Sequence, residues 1–306
     1  MDISNQPLVS VPVITYNSAK FVLDTLESIK AQTYQNVELI ISDDCSTDNT
    51  VELCRKWVEE NKERFVRTQI ITSELNTGVS ANLNRAEANC QGEWVKGIAG
   101  DDLLMPNCIA DCVEYVNNNP DTIYLFGKIE AFGADSIRCQ KYNKLFNGDF
   151  FQQTPEEQLH QLLFDGNQIP ASTCFYNRMR SIELGISNDE RIPLLEDWPK
   201  WINILKKGVT FAFMDKVLVK YRLGGISTNN YVQSPAVHRS HRMFYYLYIY
   251  PERYKANPMK AILEVLNEEE CKVYDTYYTL LHSKAYRLGK FLLKPFTKLK
   301  NLLYEK

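Results

Sequence analysis

The sequence predicts an α/β fold, a mostly parallel central sheet flanked by helices, with a helical C-terminal extension. Three observations predict it. Strand-like and helix-like apolar patterns alternate as far as Phe126, the signature of helical crossovers linking parallel strands. Polar and acidic clusters follow three of the strand-like runs directly, at Thr15-Tyr16-Asn17, at Asp43 to Asp48 and at Gly100-Asp101-Asp102. From Pro258 onward the pattern is largely helical to the end.

The elements follow in order. Leu8 to Ile14 reads as a strand, Asn17-Ser18 as a helix cap, and Phe21, Val22, Leu26 and Ile29 recur at helical spacing. Val37 to Ser42 is a second buried strand. Asp48 can cap the next helix, whose stripe is Val51, Cys54, Trp57 and Val58. A strand near Val66 to Thr72, a helix from Val79 to Asn89, a strand from Glu93 to Ile98, a helix from Asn107 to Val116 and a strand from Thr122 to Phe126 complete the alternation. Between 127 and 195 the periodicity weakens. Leu194 to Lys206 is helical again, Val217 to Arg222 is a short strand, and Met243 to Tyr254 is rich in aromatic residues, which read as helix packing rather than a sugar-stacking surface.

Composition removes several functions. With 306 residues, 44% of them hydrophobic, the chain can bury a sizeable core. Lys and Arg number 35 against 38 Asp and Glu, which does not favour a general nucleic-acid binder. No run is long and apolar enough to span a bilayer, and residues 1–7 carry neither the basic nor the apolar part of a signal peptide. Cys45, Cys54, Cys90, Cys108, Cys112, Cys139, Cys174 and Cys271 form no CxxC pair and no zinc spacing. The expected compartment is the cytoplasm, with reduced thiols.

In an open parallel sheet, ligands bind beyond the carboxyl ends of the strands, where loops converge and helix N-termini point inward. Adjacent carboxylates there repel unless a cation neutralises them. Turn chemistry and helix capping explain one such pair alone. Two pairs at equivalent strand ends point instead to Mg²⁺ or Mn²⁺ shared with a phosphate.

From Leu8 to Ser227 the chain resembles family 2 glycosyltransferases of the A-type fold. The resemblance rests on the run Val9 to Asn17, Ser28 to Thr33, Asp43 to Asp48, Asn76-Thr77-Gly78, Gly100 to Pro106, Leu195-Glu196-Asp197-Trp198 with Trp201, and Tyr221-Arg222 followed by Gly224-Gly225-Ile226-Ser227. It implies a catalytic domain over 1–227, with a nucleotide-binding half to 126 and an acceptor half from 127, and a helical region over 228–306. By the same resemblance Thr15, Tyr16, Asn17, Asp43, Asp44, Asn76 and Asp101 would bind the nucleotide. Tyr16 would lie by the base and Asp44 would accept from its N3–H, which suits uracil. Asp101 and Asp102 would hold the ribose and the metal. Asp197 would be the general base of an inverting single displacement, with Glu196, Trp198 and Arg222 in acceptor-side or supporting places. The implied partners are a nucleotide-sugar donor, such as a UDP-sugar, and a glycan or lipid-linked acceptor. Bacterial surface polysaccharide synthesis is the implied setting.

The sequence also departs from the family pattern. Ala99 precedes Gly100-Asp101-Asp102, so the first carboxylate of a full Asp-x-Asp is missing. Cys45 replaces a Gly, Leu83 a frequent Arg, and Leu223-Gly224 stand where many members carry a His. That leaves Arg222, Arg239 or Arg242 to help hold the diphosphate, and His238 or His241 to replace the His, unless both are simply exposed helical residues. Two other classes stay open. A sugar-nucleotide pyrophosphorylase would need a Gly-rich basic loop where Thr15-Tyr16-Asn17-Ser18 stands. A non-catalytic relative would be expected to lose an acidic site residue, yet Asp44, Asp101, Asp102 and Asp197 are present. Finally, residues 284–306 form a basic amphipathic tail suited to peripheral contact with the inner face of the plasma membrane.

Overall fold

The computed structural model describes residues 6–223 and 235–265. The Gly224 to Ser227 motif, the boundary at 227/228, Cys271 and the 284–306 tail lie outside the described residues. Nine strands form one mixed, mostly parallel sheet. They are β1 (Val9–Thr15), β2 (Val37–Asp43), β3 (Arg67–Thr72), β4 (Trp94–Val95), β5 (Ile98–Ala99), β6 (Leu103–Leu104), β7 (Tyr124–Phe132), β8 (Phe175–Asn177) and β9 (Phe211–Arg222). The order is β3-β2-β1-β4-β8-β7-β9-β6, with β5 also paired to β1. Antiparallel pairing enters only through β8 and β6.

Helices cover both faces. On one side lie α1 (Val22–Lys30), α2 (Thr50–Asn61) and α4 (Cys108–Asn118), whose apolar stripes enter the core that holds Val11, Leu39 and Ile41. The opposite core holds Ile40, Val95, Phe126 and Trp201, from β2, β4, β7 and α8 (Asp197–Lys206), with Leu162 of α6 (Pro155–Phe164). Leu39, Ile40 and Ile41 thus alternate between the cores, as successive side chains of a strand must. Each such side chain, fully buried, contributes roughly 1.5–3 kcal/mol. Helix α3 (Val79–Ala88) packs along β1 and β2.

The expected strand from Glu93 to Ile98 is instead two dipeptide strands, and Pro12 explains the break. In β1, Ser10 and Ile14 present their carbonyls to Lys96 N and Gly100 N. Pro12 faces the same side but has no N–H to give. The ladder therefore stops at Lys96-Gly97 and resumes at Ile98. Other boundaries move as well. Strand β7 runs on to Phe132 and β9 begins at Phe211, each extended by the partner it pairs with. Thr50 follows Asn49 as the start of α2, while Asp48 accepts from Thr50 N. Helix α8 begins at Asp197 rather than Leu194. The weakly patterned segment contains α5 (Ser136–Leu145), α6, β8 and α7 (Arg178–Glu183).

The chain divides into two compact units, Met1–Ile249 and Tyr250–Lys306. Helix α9 (Pro235–Phe244) and a π-helical turn (Tyr245–Ile249) belong to the first, α10 (Tyr250–Ala256) to the second. No helix among the described residues is long and apolar enough to cross a membrane.

Candidate active site

Thr15, Asp43 and Ala99 end neighbouring parallel strands in register, Thr15 opposite Asp43 and Ile14 opposite Ala99. The loops that follow therefore leave the sheet together. Asp43 is buried and organises the first of them. Its carboxylate accepts from Thr15 Oγ1 at 2.8 Å, from Ser46 N at 2.8 Å and from Ser46 Oγ. Asn17 N donates to Ser46 Oγ and Asn17 Oδ1 accepts from Thr47 N, so the two polar turns are stitched to one another. Asn17 (φ 50°) and Cys45 (φ 67°) are left-handed, a conformation Asn tolerates and in which Cys carries the strain a Gly would avoid. Tyr16 is exposed beside them.

Asp44 is also buried, yet its oxygens already have partners. Oδ2 accepts from Thr77 N (2.9 Å) and Gly78 N (2.7 Å), and Oδ1 from Thr77 Oγ1 (2.6 Å). Arg85 approaches Oδ1 at 3.4 Å and also donates to Thr77 Oγ1 and Asn82 Oδ1. In this arrangement Asp44 knits the Asn76-Thr77-Gly78 turn to β2. Asn76, itself exposed, accepts from Gly78 N.

The metal-type loop is gripped from both sides. Thr25 Oγ1 of α1 donates to Asp102 O, Ser28 Oγ accepts from Leu104 N, and Gln32 bonds both Met105 O and Ile109 N. This is the physical content of the Ser28 to Thr33 motif. Arg222, at the end of β9, supplies the other side. Its N donates to Asp102 Oδ1 (2.8 Å), its Nε to Asp101 O (2.8 Å), and its guanidinium pairs with Asp24 between the rings of Phe21 and Phe132. Asp101 and Asp102 are both buried. Burial, then the charge of Asp101, pushes the Asp102 carboxyl well above the usual carboxylate range. A divalent cation would relieve this electrostatic load, so the pair fits Mg²⁺ or Mn²⁺. Among the described residues no cluster of three or more His, Cys, Asp or Glu could hold a metal. Two carboxylates completed by diphosphate oxygens and water is a common Mg²⁺ arrangement.

The segment that leads to the third carboxylate is docked on α3. Ser80 N and Oγ donate to Pro193 O and Ile192 O, docking the segment that leads into Glu196-Asp197. Asp197 opens α8. Its Oδ1 accepts from Trp198 N (2.7 Å) and its Oδ2 from Asn167 Nδ2 (2.8 Å). Burial raises its pKa against those hydrogen bonds, which strengthens it as a base. Burial, then the charge of Asp197, raises Glu196 to about 7.

The remaining sequence candidates belong to α8, α9 and the π-helical turn. Trp198 donates Nε1–H to Leu162 O and packs on Phe244, so its indole braces α8 against α6 and α9. His238, Arg239, His241 and Arg242 lie on the exposed side of α9. Among the tyrosines, Tyr248 packs on Phe244 and donates to Asp189.

Sequence reasoning missed four side chains that build this edge. Arg85 reaches Asp44 from two positions beyond Leu83, where the pattern sets its Arg, and the signal was its i,i+3 spacing from Asn82. Thr77, read only as part of a turn, is the main partner of Asp44. Asn167, in the unpatterned segment, gave no signal. Lys96, fully buried beside the break in the sheet, could have been noticed as a lone cation inside an apolar strand.

The family description "Glycosyl transferase family 2" matches residues 10–185. A Bacillus subtilis protein named as a putative teichuronic acid biosynthesis glycosyltransferase, TuaG, is 28% identical over 74% of this chain and 84% of its own length. An uncharacterised glycosyltransferase of Haemophilus influenzae is 27% identical over 95% of this chain and 94% of its own. Among solved structures, S. aureus TarS 1-349 superposes with a TM-score of 0.56 at 19% identity, covering 70% of this chain and 60% of that one. Its complex with UDP-GlcNAc gives a TM-score of 0.58 over 77% of this chain and 65% of that one. The match to TarS shows the A-type fold.

Proposed function

The chain belongs to glycosyl transferase family 2 and is a glycosyltransferase, and from that premise we propose that it moves a sugar from a UDP-sugar to a hydroxyl of a glycan or lipid-linked acceptor, with inversion. The observation that carries the reading is that the loops carrying Asp43-Asp44 and Asp101-Asp102 leave one edge of the sheet together, while α3 docks the segment that leads into Asp197. TuaG, named for teichuronic acid synthesis, and TarS, solved with UDP and with UDP-GlcNAc, support a bacterial surface polysaccharide and a uridine nucleotide.

In this reading Thr15, Tyr16, Asn17, Asp43, Asp44 and Asn76 form the nucleoside end, and Asp101 and Asp102 hold Mg²⁺ or Mn²⁺. The metal, when bound, supplies positive charge to the leaving diphosphate. Arg222 fixes the loop that carries both aspartates. Asp197 takes the proton of the acceptor hydroxyl as that oxygen attacks the anomeric carbon, so the sugar changes partner in one step and no covalent sugar–enzyme bond is needed. Asn167 and the Trp198 amide aim the carboxylate. Glu196 beside it holds a second, shiftable proton. In the same reading the protein works in the cytoplasm, with peripheral membrane contact through 284–306.

The test is a screen of nucleotide-sugars with Mn²⁺ and with EDTA, followed by analysis of the anomeric configuration of the product. UDP release from one UDP-sugar, dependent on Mn²⁺, is the expected result. Turnover of no nucleotide-sugar with any glycan or lipid-linked acceptor would sink the reading.

A further inference from the structure

Helix α3 has two polar faces, and they serve different parts of the chain. On one, Asn82 Nδ2 donates to Thr15 O at 3.3 Å and Arg85 pairs with Asp44. On the other, Ser80, Asn84 and Glu87 recur at i, i+4 and i+7. Ser80 N and Oγ hold Pro193 O and Ile192 O. Asn84 donates to Asn188 O at 3.0 Å and to Glu190 Oε1 at 2.9 Å, and accepts from Asn188 N and Nδ2. Glu87 accepts from Asn188 Nδ2 at 3.4 Å and from Lys200 Nζ at 3.1 Å. This second face thus lays down the stretch from Asn188 to Lys200, which contains Asp197.

The last of these contacts is an ion pair out of water. The Lys200 side chain is 6% exposed and that of Glu87 18%, and the ammonium stands 5.0 Å from the ring centre of Tyr176. Such a pair is no better for stability than apolar residues of the same volume. What it adds is direction. The rest of α8 is held by Trp201, Ile202, Ile204 and Leu205, whose apolar attraction is non-directional. A charged hydrogen bond to one oxygen of α3 allows neither a slide nor a rotation. Lys200 lies one turn beyond Asp197 on the same helix, so the register it sets is passed on to that carboxylate.

Resting on the reading of Asp197 as the base, we propose that Glu87 and Lys200, together with Asn84, are positioning residues of the transfer reaction. They set the register of α8 against α3, whose other face holds the Asp44 turn, and so fix the base relative to the bound donor. None of the three touches donor, acceptor or reacting atoms in this account. A misplacement of about 1 Å at a reacting group costs on the order of 10² in rate, so a small slip of α8 slows transfer while the nucleotide turn stays intact.

The test compares stability with turnover in the full chain. Lys200→Met leaves Glu87 with an uncompensated charge and is expected to lower the melting temperature, whereas Glu87→Leu combined with Lys200→Met removes both charges and is expected to restore it. Calorimetry with UDP and Mn²⁺ counts the folded chains. Per folded chain, transfer from the UDP-sugar found in the screen should stay at least about tenfold below wild type in the double variant, with UDP affinity within about twofold. A pair that only supports the fold would give back transfer together with stability, and that result overturns the proposal. So does a joint fall of transfer and UDP affinity, which would mean that α3 itself has moved. Should the double variant not fold, Asn84→Ala is the milder test. It is expected to slow transfer by about threefold at unchanged UDP affinity, and unchanged transfer there overturns the proposal as well. Asp197→Asn separates the two readings. If it keeps transfer, the base reading fails and the proposal with it. If it loses transfer while the double variant keeps it, only the proposal fails.

Discussion

Asp197 is fixed by two donors, its neighbour's amide and Asn167, and neither neutralises it. Replacing it with Asn keeps an oxygen for one donor and removes the capacity to take a proton. Asp197→Asn is expected to lower transfer by about 10²–10⁴-fold while leaving UDP affinity within about twofold. Transfer close to the wild-type rate would place the base elsewhere. Glu196 makes a separate prediction through pH. It titrates near 4.5 in an unfolded chain and at about 7 in the fold, raised by burial and then by Asp197. Below pH 4.5 both states hold the proton. Between the two values the folded state keeps a proton that the unfolded state has released, so stability falls as pH rises. Above 7 the fold carries the cost of a partly buried carboxylate beside Asp197. Glu196→Gln removes that cost, so this variant should melt above the wild type at pH 8 and level with it at pH 4.5. A melting difference that stays constant from pH 4.5 to pH 8 would show that burial does not control this proton.

Helix α3 joins the nucleotide turn to the loop before Asp197, and Gly78 is the hinge of that join. Its φ is +88°, and a Cβ there would lie 2.6 Å from both Cβ and O of Pro193. Gly78→Ala must therefore push Pro193 away from Ser80 or strain the turn, at a cost on the order of 1–3 kcal/mol. The expected signature is a lower melting temperature together with weaker UDP binding, since the same turn supplies two amides to Asp44. A fall in neither quantity would mean that the segment can shift freely. The contrast between α1 and α5 shows what the sequence made legible. Helix α1 buries Val22, Thr25, Leu26 and Ile29 on one stripe and was readable from spacing alone. Helix α5 has no fully buried residue and is held by its Asp135 cap, by Asn143 on Ala131 N and by Tyr142 stacked on Tyr221, so it has no apolar period to read. The break between β4 and β5 was hidden for another reason, because its cause, Pro12, sits in a different strand. The site divides in the same way. Asp44 and Asp102 stood out as carboxylates at strand ends. Thr77, 33 residues from Asp44 in sequence, and Arg85, 41 residues away, act only through contacts that folding creates.

At the scale of the molecule, charge is unevenly spread along the sequence. Lys284, Arg287, Lys290, Lys294, Lys298, Lys300 and Lys306 face only Glu305 across the last 23 residues, in a chain of net charge −3. Leu288, Phe291, Leu292, Phe296, Leu299, Leu302 and Leu303 recur among them at near-helical spacing, with Pro295 dividing the run. A basic amphipathic segment gains from anionic lipid about 1 kcal/mol for each basic residue held near the surface, and apolar insertion adds to it. The acidic remainder of the chain would be repelled by the same surface, so the tail alone has to supply the attraction. Full-length protein is therefore expected to co-sediment with vesicles of phosphatidylglycerol and phosphatidylcholine, and a variant truncated after Ser283 to lose at least about tenfold in binding. Raising the salt to half-molar should release much of the full-length protein, because attraction between exposed charges is screened beyond a few ångströms at that ionic strength. Glycosyl transfer to a soluble acceptor should be unchanged by the truncation, which separates loss of the tail from damage to the site. Equal binding by both proteins, or binding that ignores both salt and anionic lipid, would remove the membrane role from 284–306.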